Sequence, residues 1–166
     1  MQAFRASLII AATLGLAACD LSGGSSARSN APLVADQLPA IADWAKPYLG
    51  QKMLAKFPAK ADCEGYVDIV TARYGDGKSG VAVEGWGWDA TGKRGTLKVL
   101  LVDDKGVITG AADGGRPRPD VPKAMPAVTS ETVGWRGYAT TVSGEVTAYG
   151  LVDQADAACS LGRIQI

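Results

Sequence analysis

Val81-Ala82-Val83-Glu84-Gly85-Trp86-Gly87-Trp88 is the stretch on which the fold turns. Its β-branched and aromatic residues carry no helical stripe and read as a strand. Successive side chains of a strand point to opposite faces. Val81, Val83, Gly85 and Gly87 therefore share one face, and Glu84, Trp86 and Trp88 share the other. The two faces disagree about which is core. A valine core leaves two indoles side by side in solvent, a stacking platform for the apolar faces of sugars that Trp135 and Tyr138 extend. A tryptophan core, the commoner outcome, puts Glu84 near the strand entrance and leaves the glycines as a flat groove for a neighbouring ring.

Six further stretches read as strands, at 64–72, 96–103, 107–112, 135–142, 145–152 and 159–164. Asp103-Asp104-Lys105-Gly106 suits a type I turn closed by a left-handed glycine and a bulge. Asp89 to Lys93 is a polar tip. Ser143-Gly144 suits a two-residue hairpin loop, whose register sets Tyr138 opposite Tyr149 and Thr140 opposite Thr147. The expectation is a mainly β domain over 61–166, an antiparallel β-sandwich or small barrel of about seven strands.

Ahead of it, 36–60 reads as a helical segment. Pro39 suits a first turn and Pro47 ends or kinks the piece. Leu49, Met53 and Phe57 then form one apolar stripe, with Lys52, Lys56 and Lys60 nearby. The stripe packs on the β domain, or it rests on lipid headgroups as a basic amphipathic helix. Asp113 to Gly134 is a long segment with four prolines, expected to be functional, to hold a short helix after Asp120, or to cover a sheet edge.

The N-terminus gives an address. Leu8 to Ala18 carries no charge and is too short to span a bilayer, which takes about 20 residues. It matches the apolar core of an export signal over 1–18. Its end, Leu16-Ala17-Ala18-Cys19, resembles the lipobox of bacterial lipoproteins; the other reading is an ordinary signal peptide with an incidental cysteine. The resemblance implies cleavage before Cys19, a diacylglycerol on its sulfur and an acylated new amine, anchoring the chain to a membrane. Leu21 to Ala31 is rich in Gly and Ser, so 19–35 reads as a flexible tether. Asp20 resembles the inner-membrane retention signal of enteric lipoproteins, which favours the inner over the outer membrane. The body then faces the periplasm. In that oxidising compartment the remaining cysteines, Cys63 and Cys159, are expected to form a disulfide that closes nearly the whole domain. Two free thiols or a metal pair are the alternatives, and the chain has no histidine to complete a usual zinc set.

Charge narrows the partners. The chain has 17 Lys and Arg against 17 Asp and Glu, and export removes only Arg5, so nucleic acid is not expected. Without histidine, Ser-His-Asp and Cys-His catalysis is excluded. No phosphate loop or nucleophile elbow is present, and no cofactor or metal is expected. The run from Tyr74 to Lys78 has only a faint likeness to a calcium loop. Arg116 and Arg118 flank Pro117 and can clamp a carboxylate or phosphate, or one of them pairs with Asp113 or Asp120 and pins its loop. Gly85-Trp86-Gly87-Trp88-Asp89, the apolar strand and hairpin at 99–110, and Arg116 to Val121 together resemble a β-sandwich module of bacterial membrane and glycosyltransferase-like proteins. The resemblance spans about 80–121 and implies a fold rather than an activity. The function expected is a non-catalytic envelope module that binds a protein partner or aids assembly. A glycan-binding module using Trp86 and Trp88 is the alternative, and a hydrolase with a carboxylate pair the remoter one.

Overall fold

The computed structural model describes residues 39–74, 79–152 and 156–166. The leader, Cys19, the whole tether and residues 75–78 and 153–155 lie outside the described residues. Among the described residues nine strands form: β1 (Ala59–Lys60), β2 (Cys63–Tyr74), β3 (Gly80–Asp89), β4 (Arg94–Gly95), β5 (Lys98–Asp103), β6 (Ile108–Arg116), β7 (Gly134–Ala139), β8 (Glu145–Leu151) and β9 (Ala157–Gln165). Each of the seven expected strands is present, and β1 and β4 are two-residue additions.

These strands make one sheet in the order β1-β9-β8-β5-β6-β7-β3-β2, with β4 on β3. The β1–β9 pair is parallel and the others are antiparallel. The sheet curls into a half-barrel, which departs from the two facing sheets of a sandwich. Its interior holds the valine face of β3, Val81 and Val83, with Val99, Leu101, Trp135 and Leu161. Glycines make the curl possible. A Cβ at Gly85 would lie 2.8 Å from Trp135 Cε2, and one at Gly87 would lie 2.7 Å from Leu161 Cδ1. Trp135 is the cross-strand partner of Gly85, so its indole fills the space that glycine leaves. At the open seam β2 meets β9 through side chains: Leu161 packs over Gly65, and Cys63 is bonded to Cys159.

The expected Ser143-Gly144 hairpin does not form. Both edges of β7 are taken, by β3 and β6, and both edges of β8 by β5 and β9. Tyr138 faces Ala82 and Ala111, whose small side chains leave its ring room, while Tyr149 faces Leu100. The linker 140–144 instead crosses the end of the β5–β6 hairpin. Three strand spacings are about 14 Å, and five residues reach that far. Thr140 N–H and Oγ1 both donate to the Thr109 carbonyl, and the Thr109 and Thr141 hydroxyls are 2.8 Å apart. The spatial order β8-β5-β6-β7 is a Greek key.

Two covers lie on the outer face. The N-terminal segment is not one helix: a 3-10 turn spans Asp43–Tyr48 and α1 is only Met53–Lys56. Pro47 sits inside the 3-10 turn, and its missing N–H suits no longer helix. Met53 and Phe57 bury against Leu100, Val102 and Ile108, with Leu49 packed beside them. The apolar stripe is therefore core packing and is not free to enter lipid headgroups. The second cover is 117–133, with α2 at Asp120–Ala124. Val121, Val128 and Val133 close over Trp86 and Trp88. This segment covers a sheet face rather than an edge.

Candidate functional site

The four aromatic residues expected to form a platform are separated. Trp86 and Trp88 lie on the outer face, yet they are 8% and 3% exposed beneath 117–133. Trp135 is inside the half-barrel, and Tyr138 packs edge-on against Tyr74 on the outer face. The valine face is core and the indoles are buried as well, because a loop supplies the second layer that strand alternation cannot foresee. The exposed sugar-stacking surface is thus corrected to a buried one.

The two arginines are split. Arg118 is held: its Nε and Nη2 donate to Asp120 at 2.9 and 2.8 Å, and its Nη1 donates to Asp68. This arginine pins 117–133 to β2. The paired carboxylates raise the guanidinium pKa, and Arg118 holds the Asp120 carboxyl below the usual carboxylate range. Asp68 reaches Arg118 because it is the extra residue of a β-bulge: Val67 pairs with Gly85 and Ile69 with Glu84.

Arg116 is different. The ladder between β6 and β7 pairs Asp113 with Arg136, then Arg116 with Gly134. Three steps on β6 match two on β7, so one extra residue sits at Gly114-Gly115, where Gly115 has φ +82°. Were these same residues paired regularly, with no bulge, strand alternation would aim Arg116 into the half-barrel. The bulge returns its side chain to the outer face beside Asp113. Gly134 opposite offers no side chain. Among the described residues, no hydrogen bond or ion pair holds the Arg116 side chain.

Below Arg116 runs a charged row. Lys98, Asp113, Arg136 and Glu84 occupy successive strands β5, β6, β7 and β3 in direct register. Arg136 Nε is 3.1 Å from Glu84 Oε1. Trp44 Nε1 donates to Asp113 at 2.9 Å, and Lys98 Nζ stands 5.5 Å from the Trp44 ring centroid. The charges alternate and compensate one another. A groove of about 290 Å³ lies over the Asp113 and Arg136 part of this row, walled by Pro39, Ala40 and Ala42 and by Arg116. Its floor is small: Ala82, Ala111 and Gly137 beside Tyr138. Strand register brings Lys98, Glu84 and Arg136 together, and no local motif announces them.

The acids near the groove do not face one another. Asp113 and Glu84 flank Arg136, and Asp68 and Asp120 flank Arg118, so each pair brackets a guanidinium. Among the described residues no cluster of acids and cysteines is placed to hold a metal, and no helix is long and apolar enough to cross a membrane. Asp76 and its neighbours in the faint calcium-like run lie outside the described residues. Cys63 and Cys159 are joined, with Cα atoms 5.7 Å apart. Compared with known proteins, the chain matches no family model, no curated sequence and no solved structure.

Proposed function

We propose that this chain is a lipid-anchored, periplasm-facing, non-catalytic module of the bacterial envelope, and that the groove over Asp113 and Arg136 is its contact surface for a partner protein. The observation that carries the reading is the Cys63–Cys159 bond across the seam of the half-barrel. Such a bond persists outside the reducing cytosol, which agrees with the lipobox at Cys19. Acyl chains there supply stable anchoring, since each buried CH2 contributes about 0.8 kcal/mol. Asp20 favours the inner membrane. A glycan partner would also have to use the groove, because both indoles are covered.

Two measurements test this. Intact-mass analysis of protein from its native host should show a mature chain beginning at an acylated Cys19. An unmodified thiol with the leader attached would overturn the placement. A photocrosslinker at Ala40, on the groove wall, should trap a discrete partner in cells. The same group at Thr147, on the outer face of β8, should not. Equal trapping at both positions removes the groove as the contact surface.

A further inference from the structure

The geometry points to a ligand class for the groove: a monoanionic carboxylate on a short apolar body, such as the free C-terminus of a small-side-chain peptide. The inference rests on reading the groove as the binding surface. Arg116 supplies the charge. Among the described residues it is the one cation lining the groove outside the compensated row of Lys98, Asp113, Arg136 and Glu84. A left-handed glycine, Gly115, lies in the bulge that aims it there, and the stem of Arg118 packs over Gly134 opposite. A guanidinium so placed offers a planar fork that matches a carboxylate.

The surroundings decide between anions. A phosphate carrying two charges would sit beside the carboxylate of Asp113, which repels it more strongly than a single charge. A single negative charge matches the single surplus positive one. The remaining walls, Pro39, Ala40 and Ala42 over a floor of Ala82 and Ala111, present small apolar surface. At about 290 Å³ the space is near the lower end for a ligand pocket. It admits the last residues of a peptide and not a large ring system.

N-acetyl-trialanine with a free carboxylate is the probe, titrated by NMR into the host-processed full chain in detergent micelles. Its C-terminal amide and inorganic phosphate are the comparisons. The expected result is saturable shifts at Arg136, Gly137 and the Trp44 indole. The amide and the variant Arg116→Gln should each bind at least about ten-fold more weakly, the scale of a lost charge-assisted pair. Phosphate should not displace the peptide at equal concentration. Arg116 is exposed, so the variant should melt as wild type does. No saturation by about 10 mM, equal binding of the amide, or equal binding by Arg116→Gln would each overturn the inference. Displacement by phosphate would show a general anion site and overturn the carboxylate class. A failed titration beside successful crosslinking at Ala40 would remove the ligand class and leave the contact surface standing.

Discussion

Reducing the Cys63–Cys159 bond should both destabilise the domain and open one particular seam. The bond joins residues 96 apart in sequence. For a closed loop of this size the chain-entropy relation gives about 4.7 kcal/mol at 25 °C. That is a large share of the roughly 5–15 kcal/mol that holds an ordinary domain. With a urea slope of about 2 kcal/mol per M, the midpoint should fall by roughly 2 M. The slope itself should rise, because the freed unfolded chain exposes more surface. The assay compares three species: oxidised wild type, reduced wild type, and Cys63→Ala/Cys159→Ala. Reduced wild type keeps both sulfurs, so its difference from the double variant isolates the small cavity contribution at buried Cys159. Locality is the sharper readout. The two strands are not laddered to each other, and meet through Leu161, Gly65 and the disulfide. Amide exchange should therefore quicken first in β2 and β9, while the β5–β6 hairpin keeps its protection. A midpoint shift below about 0.5 M, with β2 protection unchanged, would mean that side-chain packing alone closes the seam. The half-barrel would then not depend on the bond for its closure.

Three further outcomes follow from named contacts. Arg118→Gln should free 117–133 from β2, costing about 1 kcal/mol after solvent screening and raising the fluorescence response of Trp86 and Trp88 to a soluble quencher; unchanged quenching refutes the pin. Gly115→Val places a β-branched residue at φ +82°, where the strain should cost about 1–3 kcal/mol and abolish any peptide binding that Arg116 supports, with the Cys63–Cys159 bond intact by mass. Acid and alkali should act at different places. The Asp120 carboxyl is depressed by Arg118, so its contribution is complete above the unfolded value of about 3.9 and is lost as pH falls through the folded one. Protection in 117–133 should then hold to about pH 4 and fail below it. Tyr138 is raised, by burial first and then by Tyr74. Its contribution is complete below about pH 10 and is lost as pH rises through the folded value. The tyrosinate band should therefore contain one late-ionising component, absent in Tyr138→Phe.

Strand existence was legible because alternation is a local property. Val81 and Val83 face the same side whatever pairs with them, and the seven β stretches follow from that period. The Asp103–Gly106 turn was legible for the same reason: Gly106 takes φ +74°, and Asp103 accepts from Lys105 and Val107 N–H. What alternation cannot carry is the identity of neighbours. Ser143-Gly144 has hairpin chemistry, yet β3 and β6 already occupy both edges of β7, and β5 and β9 both edges of β8. The indoles were likewise undecidable locally, because their cover comes from Val121, Val128 and Val133, some 35 to 45 positions along the chain. Lys98, Glu84 and Arg136 form a row only through pairing of four strands, so their charges looked like ordinary solvated ones.

The deeper reason the site escaped a period-two reading is that its key side chains sit where that period breaks. Asp68 is the extra residue opposite the Gly85–Glu84 step, and the break lets it reach Arg118. Thr109 is the extra residue beside Leu101 and Val102, and its hydroxyl and carbonyl dock the linker that carries the chain from β7 to β8. Leu161 is the extra residue between Ser160 and Gly162, and it turns inward to fill the space over Gly65 and Gly87. Gly114-Gly115 sets Arg116 over the groove. Each bulge adds one residue, so each inverts the face assignment of everything after it on that strand. A reading that counts alternately from Asp113 puts Arg116 on the wrong side by one position. A bulge therefore does two jobs at once here: it bends the sheet toward closure, and it redirects one polar or bulky side chain to a place that regular pairing would deny it. This ties shape to function in a testable way. Deleting Gly114 should restore regular β6–β7 pairing and flatten that edge of the half-barrel, while Arg116 stays opposite Gly134 on the outer face. A sheet that keeps its full curl after the deletion would show that this bulge does not bend it.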